Sequence, residues 1–204
     1  MARYTGPRSR IARKFKEPIF GPDKVLEKKN YPPGQHGFGK KRGSKHSEYS
    51  EQLQEKQKAK YTYGILERQF RKTFAKASRS KGVTGEVLLQ LVESRLDNVV
   101  YRLGFSSSLA QARQLVLHGH IEVNGRVVTI PSYLLEVGQV VSINEKSRQK
   151  KVIVEAIELA QRRGVPSWMA LEREQFRGSL RSLPARADLT MPISEKLIVE
   201  HYSR

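Results

Sequence analysis

The sequence predicts an α+β protein made of a basic extended N-terminal arm, a small helical domain and a unit with a small, mainly antiparallel sheet. Three observations predict it. Residues 1–45 hold thirteen Lys/Arg against three Asp/Glu, a net +10 out of +18 for the whole chain, with no sustained apolar period. Residues 47–93 place apolar side chains at helical spacing. Residues 94–128 pass from helical spacing to alternation around an Asn-Gly pair.

Hydrophobic residues make up 38% of the 204, low for a globular chain, so part of it has little apolar surface to bury. The charge asks for a polyanionic partner, and nucleic acid or an anionic membrane would both serve. The absence of cysteine excludes disulfides and thiolate metal sites. No apolar run approaches the ~20 residues that cross a bilayer. MARYTGPRSRIARKF has no apolar stretch of the secretory kind. It is Arg-rich and acid-poor like a transit peptide, but Gly6-Pro7 argues against one amphipathic helix. The expectation is a retained arm and a cytoplasmic protein.

In chain order, the arm offers Ile11, Phe15, Ile19, Phe20, Val25 and Leu26 as scattered anchors, punctuated by Gly21-Pro22 and Tyr31-Pro32-Pro33-Gly34. Arg3, Arg8, Arg10, Arg13, Lys14 and Lys16 repel one another, and an anionic surface relieves this while releasing counterions. The arm is therefore expected to order on RNA. Gly34–Lys41, GQHGFGKK, mimics a phosphate loop. Lys41 stands where that loop needs Ser or Thr, and no hydrophobic strand precedes it.

Ser47 is the expected cap of a helix with Glu48 and Glu51 in its first turn. Lys56, Lys58 and Lys60 form a basic run along it, expected to add mostly nonspecific affinity for RNA. Gly64 breaks it, and Leu66, Phe70 and Phe74 then mark a buried face rather than a base-stacking platform. Arg68, Arg71 and Lys72 fall elsewhere on that helix. A third helix from Val83-Thr84-Gly85 carries Val87, Leu88, Leu91 and Val92. Three helices close a core poorly, and Ile193–Tyr202, capped by Ser194, is a candidate fourth.

Over 94–128, Ser94 with Asp97 and Ser108 with Gln111 fit capping boxes. They open apolar runs Leu96/Val99/Val100/Leu103 and Leu109/Ala112/Leu115/Val116, ended by Gly104 and Gly119. Ile121 and Val123 then alternate, and Asn124-Gly125 predicts a type I′ hairpin. Arg113, Gln114, His118, His120, Asn124 and Arg126 supply donors that helix and hairpin can present on one side. Further on, 139–143 reads as a strand, and 147–163 as a helix with Val152, Val154, Ile157 and Leu159 apolar. Residues 168–171 and 178–183 read as strands.

RLDNVVYRLGF followed by AQARQLVLHGHIEVNGRVV resembles the αL-type RNA-binding domain of the uS4 family of small ribosomal subunit proteins. YPPGQHG, the Arg68-Gln69-Phe70 region and the final ISEKLIVEHYSR resemble the same family in the same order. Pseudouridine synthases, some tRNA synthetases and a heat-shock RNA binder carry related domains. The uS4 resemblance implies an RNA-binding domain over 94–186, inserted into a helical domain of 46–93 completed by 187–204, with 1–45 as the arm. It implies binding to the 5′ domain of 16S rRNA at a multi-helix junction early in assembly. It also implies a place beside uS5 and near uS3 where mRNA enters the subunit, with influence on decoding accuracy. Arg113, His120, Asn124 and Arg126 become the central contacts, with Arg95, Gln114 and His118 beside them. Lys40, Lys41, Arg42 and Lys45 fall in the stretch near the mRNA. Some members hold zinc with four cysteines in the arm, which this sequence lacks. Leu109 stands where members often have Arg, and Gln139 where Asp is common.

Pseudouridine synthases use an R-L-D segment whose aspartate is the nucleophile, followed by Thr-Ser-Gly. Here Asn98-Val99-Val100 follows Arg95-Leu96-Asp97, and Asp97 is better explained as a capping acid. His118-Gly119-His120 lacks the carboxylates or thiols of a metal site and suits hydrogen bonding better. No G-x-S-x-G or H-E-x-x-H is present. The expectation is a binder with no catalytic residue, cofactor or small-molecule substrate. A free-standing RNA chaperone and an RNA-modifying enzyme remain as alternatives.

Overall fold

A computed structural model of the chain describes residues 4–39, 47–161, 164–189 and 191–203. In chain order its helices are α1 (Arg8–Phe15), α2 (Lys24–Lys28), α3 (Glu48–Thr62), α4 (Glu67–Arg79), α5 (Thr84–Glu93), α6 (Leu96–Arg102), α7 (Leu109–Leu117), α8 (Lys151–Gln161) and α9 (Glu195–Tyr202). Its strands are β1 (Ile121–Val123), β2 (Arg126–Val127), β3 (Val140–Ile143), β4 (Met169–Glu172) and β5 (Arg177–Leu180). Short 3-10 turns occupy Glu145–Ser147 and Arg186–Asp188. Helices with one antiparallel sheet make the α+β class the sequence predicts. The chain forms two compact units, Met1–Lys72 with Pro192–Arg204, and Thr73–Met191.

In the first unit, α3 is the central element. Ser47 caps it by accepting from the Ser50 amide, with Glu48 and Glu51 in the first turn. Its buried residues include Gln52, Lys56, Lys58 and Ala59, so polar stems do much of the packing. α9 lies along it: the Ser194 amide donates to Glu55, and Gln52 donates to Glu200. Ser194 stands at the N-cap of α9 without a side-chain cap bond. The sequence shows no sustained helical period in residues 4–39, yet α1 and α2 form there. Asp23 caps α2 by accepting from the Val25 and Leu26 amides. The rings of Tyr4, Phe15 and Phe20 gather around Tyr61 of α3 at 5.2–6.5 Å, which anchors this segment to α3.

The second unit is built on apolar burial. Its sheet has the order β2-β1-β3-β5-β4, every pair antiparallel. The register pairs Ile121 with Ile143 and Val123 with Val141, putting those side chains into one core with Leu96, Val100, Leu103, Phe105, Leu115 and Val116. The β1–β2 turn is the one expected: Asn124 and Gly125 both have positive φ, at 49° and 76°. Asn124 Oδ1 also accepts from the Val140 amide and so ties the turn to β3. Gly104 ends α6 with φ +87°, where a Cβ would meet the Ala160 Cβ of α8 at 2.4 Å.

Two local expectations are corrected. The Ser94–Asp97 capping box does not form: Arg95 stands at the N-cap, and the Ser94 hydroxyl donates back to the Gln90 carbonyl. The free amides of Leu96 and Asp97 instead donate to the Tyr133 and Pro131 carbonyls, so a remote segment supplies the cap. In α8 the buried residues are Ile153, Ala156 and Ala160, while Val152, Val154 and Leu159 are exposed. Packing against the core sets that phase, with Gly104 close against Ala160. The second box is half made, since Ser108 accepts from Gln111, whose side chain reaches Ser107 instead.

Candidate nucleic-acid interface

Basic residues divide sharply by what they touch. On α1, Arg8, Arg10 and Lys14 are exposed. Arg13 faces inward: its guanidinium donates to the carbonyls of Lys29, Tyr31 and Pro32 and lies 4.6 Å from the Tyr31 ring centre. It clamps the YPPGQHG segment back onto α1 through Nε and Nη2.

The basic run of α3 is also turned inward. Lys56, only 7% exposed, donates to Glu67 at 3.0 Å, and Lys60 approaches the same carboxylate at 3.7 Å. Lys58, equally buried, pairs with Glu17 at 2.8 Å. Burial pushes the Glu67 pKa up. Hydrogen bonds from Lys56 and Tyr202 and the two lysine charges outweigh it and hold the carboxyl below its ordinary value. Arg68, Arg71 and Lys72 are exposed on α4, as are Lys76 and Arg79, which the sequence does not single out. Their helical spacing was the signal available.

In the second unit, Arg95 is 6% exposed and forms a two-pronged ion pair with Asp97, Nε to Oδ1 at 3.0 Å and Nη2 to Oδ2 at 2.7 Å. Arg113 reaches the same Asp97 oxygen at 3.5 Å. Asp97 is thus the counter-ion of two arginines. Beside it, fully buried Glu93 holds Arg102 at 2.7 Å and accepts from Asn98. These pairs orient α6 and α7 and leave Gln114 and His118 exposed near the end of α7. Asn124 and Arg126 are exposed at the hairpin. His120 is half-buried, with Nδ1 2.9 Å from Ser147 Oγ and Nε2 3.1 Å from Lys150 Nζ. Its ring lies 6.1 Å from that of His118. Arg3, Lys40, Lys41, Arg42 and Lys45 lie outside the described residues.

The surface available to a ligand in the second unit therefore holds Gln114, His118, Asn124 and Arg126, with Lys146, Lys150 and Lys151 also exposed. The sequence motifs do not single out those three lysines, whose one signal is the basic run 146–151 next to a strand. Such donors hold phosphates and 2′-hydroxyls, the groups by which folded RNA is read. The cleft lined by Arg102, Trp168 and Asp188, about 290 Å³, brings no reacting pair together. Arg102 is held by Glu93, and Asp188 accepts from Ser167 and the Ala185 amide. Among the described residues, no three His, Asp or Glu side chains gather as a metal site. No helix among them is long and apolar enough to cross a membrane.

Comparison with known proteins agrees with this geometry. The family described as Ribosomal protein S4/S9 N-terminal domain matches residues 3–93, and the S4 domain matches residues 94–141. Small ribosomal subunit protein uS4 of Parabacteroides distasonis is 61% identical over 204 residues, covering all of both chains. The uS4 proteins of Christiangramia forsetii and Porphyromonas gingivalis are 57% and 56% identical, again over the full length of both. Two adjoining domain matches and end-to-end identity above one half leave one assignment: the chain belongs to the uS4 family of small ribosomal subunit proteins.

Proposed function

We propose that this chain binds the 5′ domain of 16S rRNA at a multi-helix junction and nucleates assembly of that domain. Membership of the family makes it a structural constituent of the bacterial small ribosomal subunit, a cytoplasmic particle, and proteins of that kind are generally not enzymes. The observation that carries the RNA reading is the S4 domain itself, whose helix end and hairpin expose Gln114, His118, Asn124 and Arg126. Arg8, Arg10 and Lys14 on α1 and Arg68 and Arg71 on α4 add backbone contacts of low sequence preference. Arg13, Lys56, Lys58, Lys60, Arg95 and Arg113 act behind that surface, holding the elements that present it.

The functional division follows the three parts: an arm over 1–45, a helical domain over 46–93 with 187–204, and an RNA-binding domain over 94–186. Beside uS5 and near uS3, Lys40, Lys41, Arg42 and Lys45 meet mRNA where it enters the subunit, and through uS5 the protein affects decoding accuracy. If about ten phosphates are neutralised, the log–log salt slope of binding is roughly −7 to −9. Filter binding to a 16S 5′-domain transcript in competitor tRNA tests this, and a slope shallower than about −3 counts against it. Co-sedimentation with small subunits separates it from a free-standing RNA chaperone or RNA-modifying enzyme.

A further inference from the structure

We propose that Lys150, held in place by His120, is a phosphate-binding residue of the RNA surface, and that His120 is a positioning residue rather than a contact. The proposal rests on the RNA-binding reading above. An ammonium has donors only, so His120 Nε2, 3.1 Å from Lys150 Nζ, is the acceptor. The ring proton then sits on Nδ1 and is donated to Ser147 Oγ at 2.9 Å. Both ring nitrogens are engaged, and the imidazole is neutral. Burial pushes its pKa down from the ordinary value, and the charges of Lys150 and His118 push the same way. A neutral ring with both nitrogens in use has no donor left for a phosphate.

The lysine does. One of its three N–H bonds is directed at the ring, and its side chain stands in solvent. The platform beneath is firm: Ser147 is buried on the 3-10 turn, and the Asn144 amide donates to the His120 carbonyl. This ties the segment after β3 to the exit of α7. A lysine already oriented gives up less side-chain freedom when it binds. Lys151, the next cation along, has only a 3.8 Å approach to Glu155 and a side chain 87% exposed, so it lacks that orientation.

The test is filter binding of the full chain to the 16S 5′-domain transcript across a salt series at fixed pH. Lys150→Ala is expected to weaken binding about five- to tenfold near 0.15 M salt and to make the slope shallower by roughly 0.7–0.9, one phosphate's worth. His120→Ala is expected to weaken it less, and the double variant to match Lys150→Ala alone, because the histidine acts through the lysine. His120→Gln keeps an acceptor for Lys150 and is expected within about twofold of the unaltered protein; circular dichroism checks that each variant folds. Lys151→Ala is expected to cost about twofold or less. The proposal is overturned if Lys150→Ala binds normally, if the two alanine losses multiply, or if Lys151→Ala loses as much as Lys150→Ala. Failure of the unaltered protein to bind overturns the RNA-binding reading, and this proposal with it.

Discussion

The unit formed by Met1–Lys72 and Pro192–Arg204 and the unit spanning Thr73–Met191 are held together by different chemistry. Among the described residues, the first buries eight hydrophobic side chains and the second twenty-four. The first makes up part of the difference with lysine stems and rings: Lys56 and Lys58 are buried on Glu67 and Glu17, and Arg13 lies over Tyr31. The second buries charge too, but as pairs beside an apolar core, Arg95 on Asp97 and Arg102 on Glu93. The contrast teaches how a chain of net charge +18 folds into compact units. Where apolar residues are scarce, some cations become interior struts with acidic partners, and only the remainder face a polyanion.

The largest expected effect strikes the second unit. Asp97→Ala leaves Arg95 buried without its carboxylate and is expected to cost about 3–5 kcal/mol in urea unfolding. Amide exchange should quicken across residues 73–191 and stay unchanged in α3. A loss below about 1 kcal/mol would remove the buried pair from the account.

A smaller loss is expected in the first unit. Glu17→Gln strands Lys58, but the Glu17 side chain is 40% exposed and water screens the pair, so about 1–2 kcal/mol is expected. Adding Lys58→Met should restore most of it, since an apolar stem suits the buried site. No recovery would mean that the charge, not the stem, does the packing.

Removing a cap should not distinguish the units. Ser47→Ala and Ser108→Ala each remove one bond to a helix amide, and each is expected to cost about 1 kcal/mol by denaturant titration. Unequal losses would show that tertiary packing already holds one of the two helix ends.

The smallest effect is in pH. His120 is held below its ordinary value, so its contribution is intact above the unfolded pKa of about 6.5. It declines as pH falls from there through the lowered folded value, because the unfolded chain takes the proton first. Glu67 is also held low, so its contribution survives to about pH 4.3 and is lost as pH falls through its folded value. Acidification should therefore loosen the second unit first, read by amide exchange at successive pH values.

Much of the molecule was legible residue by residue. The Asn124-Gly125 hairpin, the Ser47 cap, the Gly104 stop, the α+β class and the charge-heavy first 45 residues each follow from chemistry within a few positions. Sequence by itself also determined that no thiolate holds the arm. What only the tertiary structure decided is who partners whom across distance. Pro131 and Tyr133, not Ser94, receive the first amides of α6. Asp97 neutralises Arg95 and Arg113 instead of reaching back to Ser94, and Lys56 and Lys58 point at acids eleven and forty-one residues away. The physical reason is reach. Turns and caps are settled by dihedral preferences and bonds spanning about four residues. A long cationic side chain takes its counter-ion from whatever the fold carries within a few ångströms, and until then a buried strut and an exposed contact are spelled alike.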